Sequence, residues 1–396
     1  MTTEKTPGLV ENAKEIRASV LHGAKDLRIE TRSLFPPSPT ELQISIRSTG
    51  LCGSDLHYYR HYRNGDIIVQ EPMSLGHESA GVVVGVGSEV QGFKKGDKVA
   101  LEVGQPCDTC DRCKEGRYNI CKAMRFRSSA KSFPHAQGTL QDRINHPAAW
   151  CHKLPEDVSL DLGALLEPLG VAIQASKRAQ LAPGSTVLVF GAGAVGLLVA
   201  AMVKTSGAGT VVIADIDEGR VNFAVENKFA HRNFTVPMKR GATIEEQLQI
   251  AKETAADIGK ITKESGGEIG EVDAVFECTG VPSCVQASIY ATRPGGQVLL
   301  IGMGTPIQTL PISAAALREV DIKGVFRYAN TYPTGIEVVS KSGPDYPNFS
   351  ALVTHRYRGL ESAVEAFDMA GRTKDDSGKL VIKVVLETGE EDKSNL

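Results

Sequence analysis

The chain has 396 residues, 41% of them hydrophobic and 23% charged, the balance of a globular enzyme and more than one ordinary core holds, so two domains are expected. Its net charge of −3 gives no general attraction to nucleic acid or to an anionic membrane, and no run of about 18 apolar residues offers a membrane-spanning helix. Eight cysteines in a long chain without an apolar export signal point to metal binding or catalysis before disulfides.

In chain order, residues 1–17 read as a polar, flexible tail. Short alternating runs then follow at Ala18–His22, Leu27–Glu30 and Leu42–Ser48, bounded by Gly, Pro and Ser. They predict half-buried antiparallel strands. Glycine-punctuated β signal resumes at Gly81–Gly87 and Gly96–Leu101. Residues 18–169 are therefore expected to form a mainly-β domain with irregular loops. After Pro168 the rhythm changes. Ser185–Phe190 and Thr210–Asp215 are continuous apolar runs suited to buried parallel strands, separated by helix formers from Ala194 to Ser206 and a C-capping Gly207. Val272–Glu277, Gly296–Ile301 and Asp321–Phe326 repeat the strand pattern, with helical stretches at Pro282–Thr292 and Ser313–Val320 between them. The alternation predicts an α/β, doubly wound parallel sheet over residues 170–325. Thr243–Gly259 has the spacing of a surface helix. Residues 326–386 are expected to return to the first domain, and 387–396 to form a polar, solvated tail. That tail ends Ser394-Asn-Leu396, one residue away from the Ser-Lys-Leu peroxisomal address; a cytoplasmic location is expected.

Gly191-Ala-Gly193-Ala-Val-Gly196 follows a predicted strand and opens a predicted helix. In that setting the three glycines allow a tight turn, close approach of a pyrophosphate, and close helix–strand packing. Asp215 ends the next strand, near the expected distance of about 20 residues, where a carboxylate accepts from both ribose hydroxyls and repels a 2′-phosphate. NAD is therefore expected over NADP. Arg220 either stacks on the adenosine end or is an exposed helix charge.

Cys107-x-x-Cys110-x-x-Cys113-(seven residues)-Cys121 supplies four thiolates at loop spacing, the donor set of a closed structural zinc. Four free thiols or an iron–sulfur cluster are the alternatives. A second, open zinc site is expected from Cys52 in Gly50-Leu-Cys-Gly-Ser-Asp-Leu-His57 and from His77, with a carboxylate from Glu78 or Glu167; spacing alone leaves that choice open. Ser54 and His57 are the candidate proton carriers. Taken singly, each of these residues reads as readily as a buried thiol or a core histidine.

Together these motifs resemble the zinc-dependent medium-chain dehydrogenase/reductase family. Gly76-His-Glu-x-x-Gly81-x-Val83 is similar to its zinc signature, and the likeness runs from about Ala18 to Leu386. Within that family the chain is similar to sorbitol (L-iditol 2-) dehydrogenases and their fungal and microbial polyol relatives. The stretches that carry this are Cys52-Gly-Ser-Asp-Leu-His-Tyr58, Gly163-Ala-Leu-Leu-Glu-Pro168, Glu277-Cys-Thr-Gly280 and Arg318–Tyr328. The resemblance implies a GroES-like catalytic domain interrupted by a Rossmann domain, assembled as a homotetramer. It implies NAD-linked oxidation of a polyol, of the sorbitol-to-fructose type, or alternatively xylitol or L-arabinitol 4-oxidation on the same scaffold. By the same resemblance Cys52, His77 and Glu78 bind catalytic zinc, and Glu167 acts directly or through water. Ser54 sits beside the reacting oxygen, and Tyr58, Glu167, Arg327 and Tyr328 meet the polyol. Val195, Asp215, Arg220, Ile301, Gly302, Met303, Val325, Phe326 and Arg327 meet the coenzyme. Some animal members lack the four-cysteine lobe (107–121) that is complete here, and the long basic stretch Arg125–Gln137, where a substrate-facing loop would lie, leaves the preferred polyol open.

Overall fold

A computed structural model describes residues 13–389. The chain divides into two compact units, Met1–Glu167 with Leu352–Leu396, and Pro168–Ala351.

The first unit is built on a seven-stranded sheet. Its main path runs Cys151–Lys153, Lys98–Leu101, Glu78–Val86, Glu41–Gly50, Lys383–Glu387, Val353–Arg358, with Arg143–Pro147 also pairing to Glu41–Gly50. The strand Glu41–Gly50 is central because its inward side chains, Leu42, Ile44 and Ile46, are fully buried. Its partner Glu78–Val86 approaches closely at Gly81, where any Cβ would collide with the Ser45 carbonyl. A separate three-stranded sheet joins Lys14–Gly23 to Asp26–Leu34 and Met73–Ser74. Beneath lies a core containing Leu21, Tyr59, Met73, Leu75, Phe367 and Leu386, in which Tyr59 stacks on Phe367 with centroids 4.9 Å apart.

The second unit is a six-stranded sheet in the order Arg232–Thr235, Thr210–Asp215, Thr186–Phe190, Val272–Glu277, Thr292–Leu300, Asp321–Gly324, with every pairing parallel. The order reverses between Thr186–Phe190 and Val272–Glu277. Ligands of open α/β sheets bind in the crevice at the carboxyl ends of two such strands. The central strands are buried on both faces (Val187, Leu188, Val189, Val212, Val275), which is why they read as continuous apolar runs rather than alternating ones.

Several sequence expectations need correction. The strand Lys14–Gly23 takes in Lys14–Arg17, assigned above to the tail; residues 1–12 lie outside the described part, as do 390–396, and Glu387 closes a strand. The chain rejoins the first unit at Leu352, later than the 326 boundary, because the helix Tyr332–Val339 and the segment after it still pack with the second unit. Helix is confined to Ile312–Ala316 within the stretch read as Ser313–Val320. The segment after Cys52 is a helix, Gly53–His61, where irregular loop was expected. Among the described residues, no helix is long and apolar enough to cross a membrane.

The helix Ile244–Gly259 is held at its start by a capping box, in which Thr243 and Glu246 satisfy each other's backbone N–H groups. Thr243→Ala is expected to lower unfolding free energy by about 1 kcal/mol without changing activity; chemical denaturation monitored by circular dichroism measures it.

Candidate metal and coenzyme sites

Cys52 occupies the N-cap position of the helix Gly53–His61, where the helix dipole favours an anionic ligand atom. The neighbouring strand pairs Gly50 with Glu78, so the chain delivers Cys52 beside His77-Glu78. One donor atom from each of Cys52, His77 and Glu78 lies within 4.8 Å of the others. A soft thiolate, an imidazole and a carboxylate converging in a largely buried site fit an open zinc centre with three protein ligands.

Two further residues shape this site, and neither was assigned by its sequence signal. Asp55, fully buried, lies 3.1–3.2 Å from His77 Nδ1, which leaves Nε2 to face a ligand. Burial works to lower the His77 pKa, but the charges of Asp55 and Cys52 outweigh it and raise the value well above that of ordinary histidine. Lys383, from the last described strand, donates to both carboxylate oxygens of Glu78, at 2.8 and 2.7 Å, and to the Leu51 carbonyl at 3.3 Å. Burial lowers the Lys383 pKa, while Glu78 first and then Cys52 and Glu167 raise it, with a net upward shift. Glu167 is itself buried, in the first turn of the helix Leu166–Ala179. It stands close enough for Lys383 to feel its charge, but outside the three-donor set. Lys383 could not be found by motif, because its partner lies 305 residues away.

Ser54 stands in the first turn of the same helix, and His57 one turn further on, exposed. Burial, followed by the charges of His61 and Arg60, lowers the His57 pKa. Tyr58 is buried, and its hydroxyl accepts from Ala130 N at 3.3 Å. The stretch Arg125–Gln137 is pinned rather than loose. Ser128 Oγ donates to Asp55 at 2.5 Å, and the Gln70 amide donates to His135 Nε2 at 2.8 Å. Its basic character is partly internal: Arg127 is sequestered, donating to the Gln137 and Asn145 carbonyls, and burial lowers its pKa to about 10.

The four cysteines of the 107–121 lobe also converge within 4.8 Å. Sulfur separations are 3.5 Å for Cys110–Cys113 and Cys107–Cys121 and 4.0 Å for Cys107–Cys113. A disulfide needs about 2.05 Å, whereas tetrahedral zinc at about 2.3 Å per bond separates its sulfurs by roughly 3.8 Å. Glu102 ties the lobe to the sheet, accepting from Tyr118 at 2.5 Å and lying 3.0 Å from His152.

In the second unit, Gly191 adopts φ +97, and a Cβ on Gly196 would collide with the Gly191 carbonyl. The helix Ala194–Thr205 starts immediately after Gly193, and the first N–H groups of a helix, which have no intrahelical partner, are of the kind that suits a phosphate. Asp215 is oriented by the Ala192 and Asp217 amides, at 2.7 and 3.0 Å. Arg220 reaches back over the glycine loop, its Nη1 3.7 Å from where a Gly193 Cβ would lie. Glu277, buried at the end of its strand, accepts from Thr279 N at 2.8 Å, from Thr279 Oγ1 and from Gly280 N at 2.9 Å. Its backbone carbonyl accepts from Ile301 and Gly302. Burial, opposed by those donors, leaves its pKa raised. Glu277 thus fixes two of the loops that bound the crevice, a role its motif did not disclose. Val325 N is bonded to Leu300 O at 2.9 Å. Met303 and Phe326 are exposed. Arg327 has left-handed backbone, φ +49, and its guanidinium carbon lies 4.9 Å from the Phe326 ring centre. Tyr328 is buried, its ring 5.8 Å from Tyr332.

Residues 38–156 match the alcohol dehydrogenase GroES-like domain, and residues 194–341 match the zinc-binding dehydrogenase domain. The sorbitol dehydrogenase of Gallus gallus is 42% identical over 355 residues, 90% of this chain and 93% of that protein. The sorbitol dehydrogenase of Homo sapiens is 41% identical, over 88% and 91% of the two chains. Among solved structures, L-idonate 5-dehydrogenase from Escherichia coli superposes with a TM-score of 0.79 at 27% identity, over 95% of this chain and 100% of that one. A 2R,3R-butanediol dehydrogenase from Bacillus subtilis gives 0.77 at 26%, over 94% and 100%.

Lys383→Met leaves a buried carboxylate without its cation. In metal-stripped protein this change is expected to lower unfolding free energy by about 3–5 kcal/mol, measured by denaturant titration. An unchanged midpoint would contradict the ion pair.

Proposed function

Because this chain belongs to the zinc-dependent medium-chain dehydrogenase/reductase family, we propose that it is a zinc- and NAD-dependent polyol dehydrogenase, reversibly oxidising a secondary alcohol of a sugar alcohol, as sorbitol to fructose. The observation that carries this reading is the convergence of Cys52, His77 and Glu78 within 4.8 Å in a chain 42% identical to a sorbitol dehydrogenase.

Two zinc ions per chain are proposed, one held by Cys52, His77 and Glu78 and one by Cys107, Cys110, Cys113 and Cys121. When bound, the first supplies Lewis-acid polarisation of the alcohol oxygen, and NAD accepts the hydride. The residues of the chain do the rest. Asp55 holds the His77 ring in one orientation. Lys383 offsets part of the negative charge of the ligand set, so that the site does not accumulate uncompensated anions. Glu78 is the direct ligand in this reading, and Glu167 works beside it through water or on the polyol. Ser54 takes the hydroxyl proton, and His57, exposed and with a depressed pKa, passes it on to solvent. Gly191, Gly193 and Gly196 cradle the pyrophosphate, with Val195 at the helix start. Asp215 takes the adenosine ribose and Arg220 its base. Ile301, Gly302, Met303, Val325, Phe326 and Arg327 meet the nicotinamide half. Arg327 and Tyr328, with Tyr58, recognise further polyol hydroxyls. A homotetramer in the cytoplasm is proposed, with no nucleic-acid or membrane partner; supporting self-association, the edge of the six-stranded sheet carries an exposed Ile322, with Leu317 exposed just before it.

A site that binds several hydroxyls penalises substrates lacking them. With NAD⁺, kcat/KM for sorbitol, xylitol or L-arabinitol is expected to exceed that for 2-propanol by at least about 100-fold, and the ranking of the three separates sorbitol oxidation from the xylitol and arabinitol alternatives. Removal of zinc by a tight chelator should abolish the activity and zinc should restore it; full activity in metal-free protein excludes the mechanism. Asp215→Ser should lower the NAD over NADP preference at least about 10-fold, since an unpartnered ribose hydroxyl and a lost repulsion each cost roughly 1 kcal/mol or more. An unchanged ratio removes Asp215 from coenzyme selection.

A further inference from the structure

The helix Gly53–His61 carries a second pair of metal-binding side chains. His57 and His61 are four residues apart, which sets them one above the other on one helical face. Asp55, Tyr58 and Tyr59 occupy the buried positions of the same helix, and both histidines are exposed. Their ring centroids lie 6.1 Å apart, with the planes inclined by 35°. Neutral imidazole is a preferred ligand of divalent zinc, nickel and copper. Bonds of about 2.0–2.1 Å from one ring nitrogen of each histidine put two centroids at roughly 5 Å around a shared ion, which small side-chain rotations of these solvent-facing rings supply. The depressed pKa of His57, set by partial burial and by His61 and Arg60, keeps its lone pair available at neutral pH.

We propose that His57 and His61 form a chelating site for a divalent transition-metal ion, separate from the Cys52 and four-cysteine donor sets, and that an ion bound there inhibits the enzyme by occupying the His57 imidazole. Inhibition rests on the proton-carrying part proposed above for His57; chelation does not. With two protein ligands and water completing the shell, the site is labile and its inhibition reverses on dilution. His61 is not part of the catalytic machinery, so it separates the two functions.

The test uses the zinc-replete enzyme and nickel chloride, since nickel binds imidazole well and does not oxidise thiols. Equilibrium dialysis measures nickel bound per chain, initial rates of NAD-linked polyol oxidation measure inhibition, and elemental analysis checks that zinc stays in place. Wild-type enzyme is expected to bind one nickel and lose activity reversibly. His61→Gln is expected to remain active, its own nickel-free rate serving as the reference for its inhibition curve, and to raise the half-inhibiting nickel concentration at least about 10-fold, since one of the two ligands is gone. Equal nickel binding and equal inhibition in wild type and His61→Gln overturn the site. Nickel binding that depends on His61 but leaves the wild-type rate untouched overturns the inhibition, and with it the proton role of His57, while the family-level activity stands.

Discussion

The buried ion pair between Lys383 and Glu78 is the constraint around which the first unit is arranged. Taking two charges out of water costs several kcal/mol per ion, offset only by short, complete hydrogen bonding. Here the ammonium meets both carboxylate oxygens at 2.8 and 2.7 Å and a backbone carbonyl besides. The strands that carry the two residues pair on either side of Glu41–Gly50, where Gly50 stands opposite both Glu78 and Val385. Side chain and sheet register therefore enforce each other. A Cβ on Gly50 would enter the Glu78 carboxylate, so the residue just before the Leu51-Cys52 turn must be small for the ion pair to close.

The two metal-donor sets face opposite demands. The four sulfurs of the 107–121 lobe converge within 4.8 Å, a donor set that would saturate a tetrahedral ion and would hold a polar loop with little apolar core of its own. The Cys52 set has three donors and is braced by Asp55 from one side and by Lys383 from another; a metal held there would keep a fourth position open. Ser128 extends the brace outward: through Asp55, the pinned segment that begins near Phe126 reaches the ring of His77 by two successive hydrogen bonds.

Sequence made the parts with local signatures legible. The glycine loop, the four cysteines and the apolar strands of the second unit each carry their physical cause within a few residues, and the structure keeps them close to the expected positions. Residues defined by distant partners were hidden. Lys383 is a single charge within the apolar run Leu380–Leu386, and only its ion pair with the distant Glu78 shows why it is buried. Asp55 lies in the same short stretch as Ser54 and His57, and chemistry-bearing residue types so close together do not announce which way they point. The helix Gly53–His61 was missed for a related reason: its two inward tyrosines and buried aspartate do not make the apolar stripe on which periodicity relies. The late return to the first unit reflects tertiary packing of Tyr332–Val339, for which composition offers no marker.

The split of the first unit into two sequence segments has a consequence for biosynthesis. Domains generally fold as they leave the ribosome, earlier segments first. Lys383 is translated only after the whole of Pro168–Ala351, so the growing chain holds Cys52, His77 and Glu78 for a long interval without their counter-charge. The contiguous second unit can finish folding while the first is still waiting for its closing strands. A ribosome that stalls between Ala351 and Lys383 would thus leave a chain with a nearly complete second unit and an unfinished first one, a product for quality control rather than a partial enzyme.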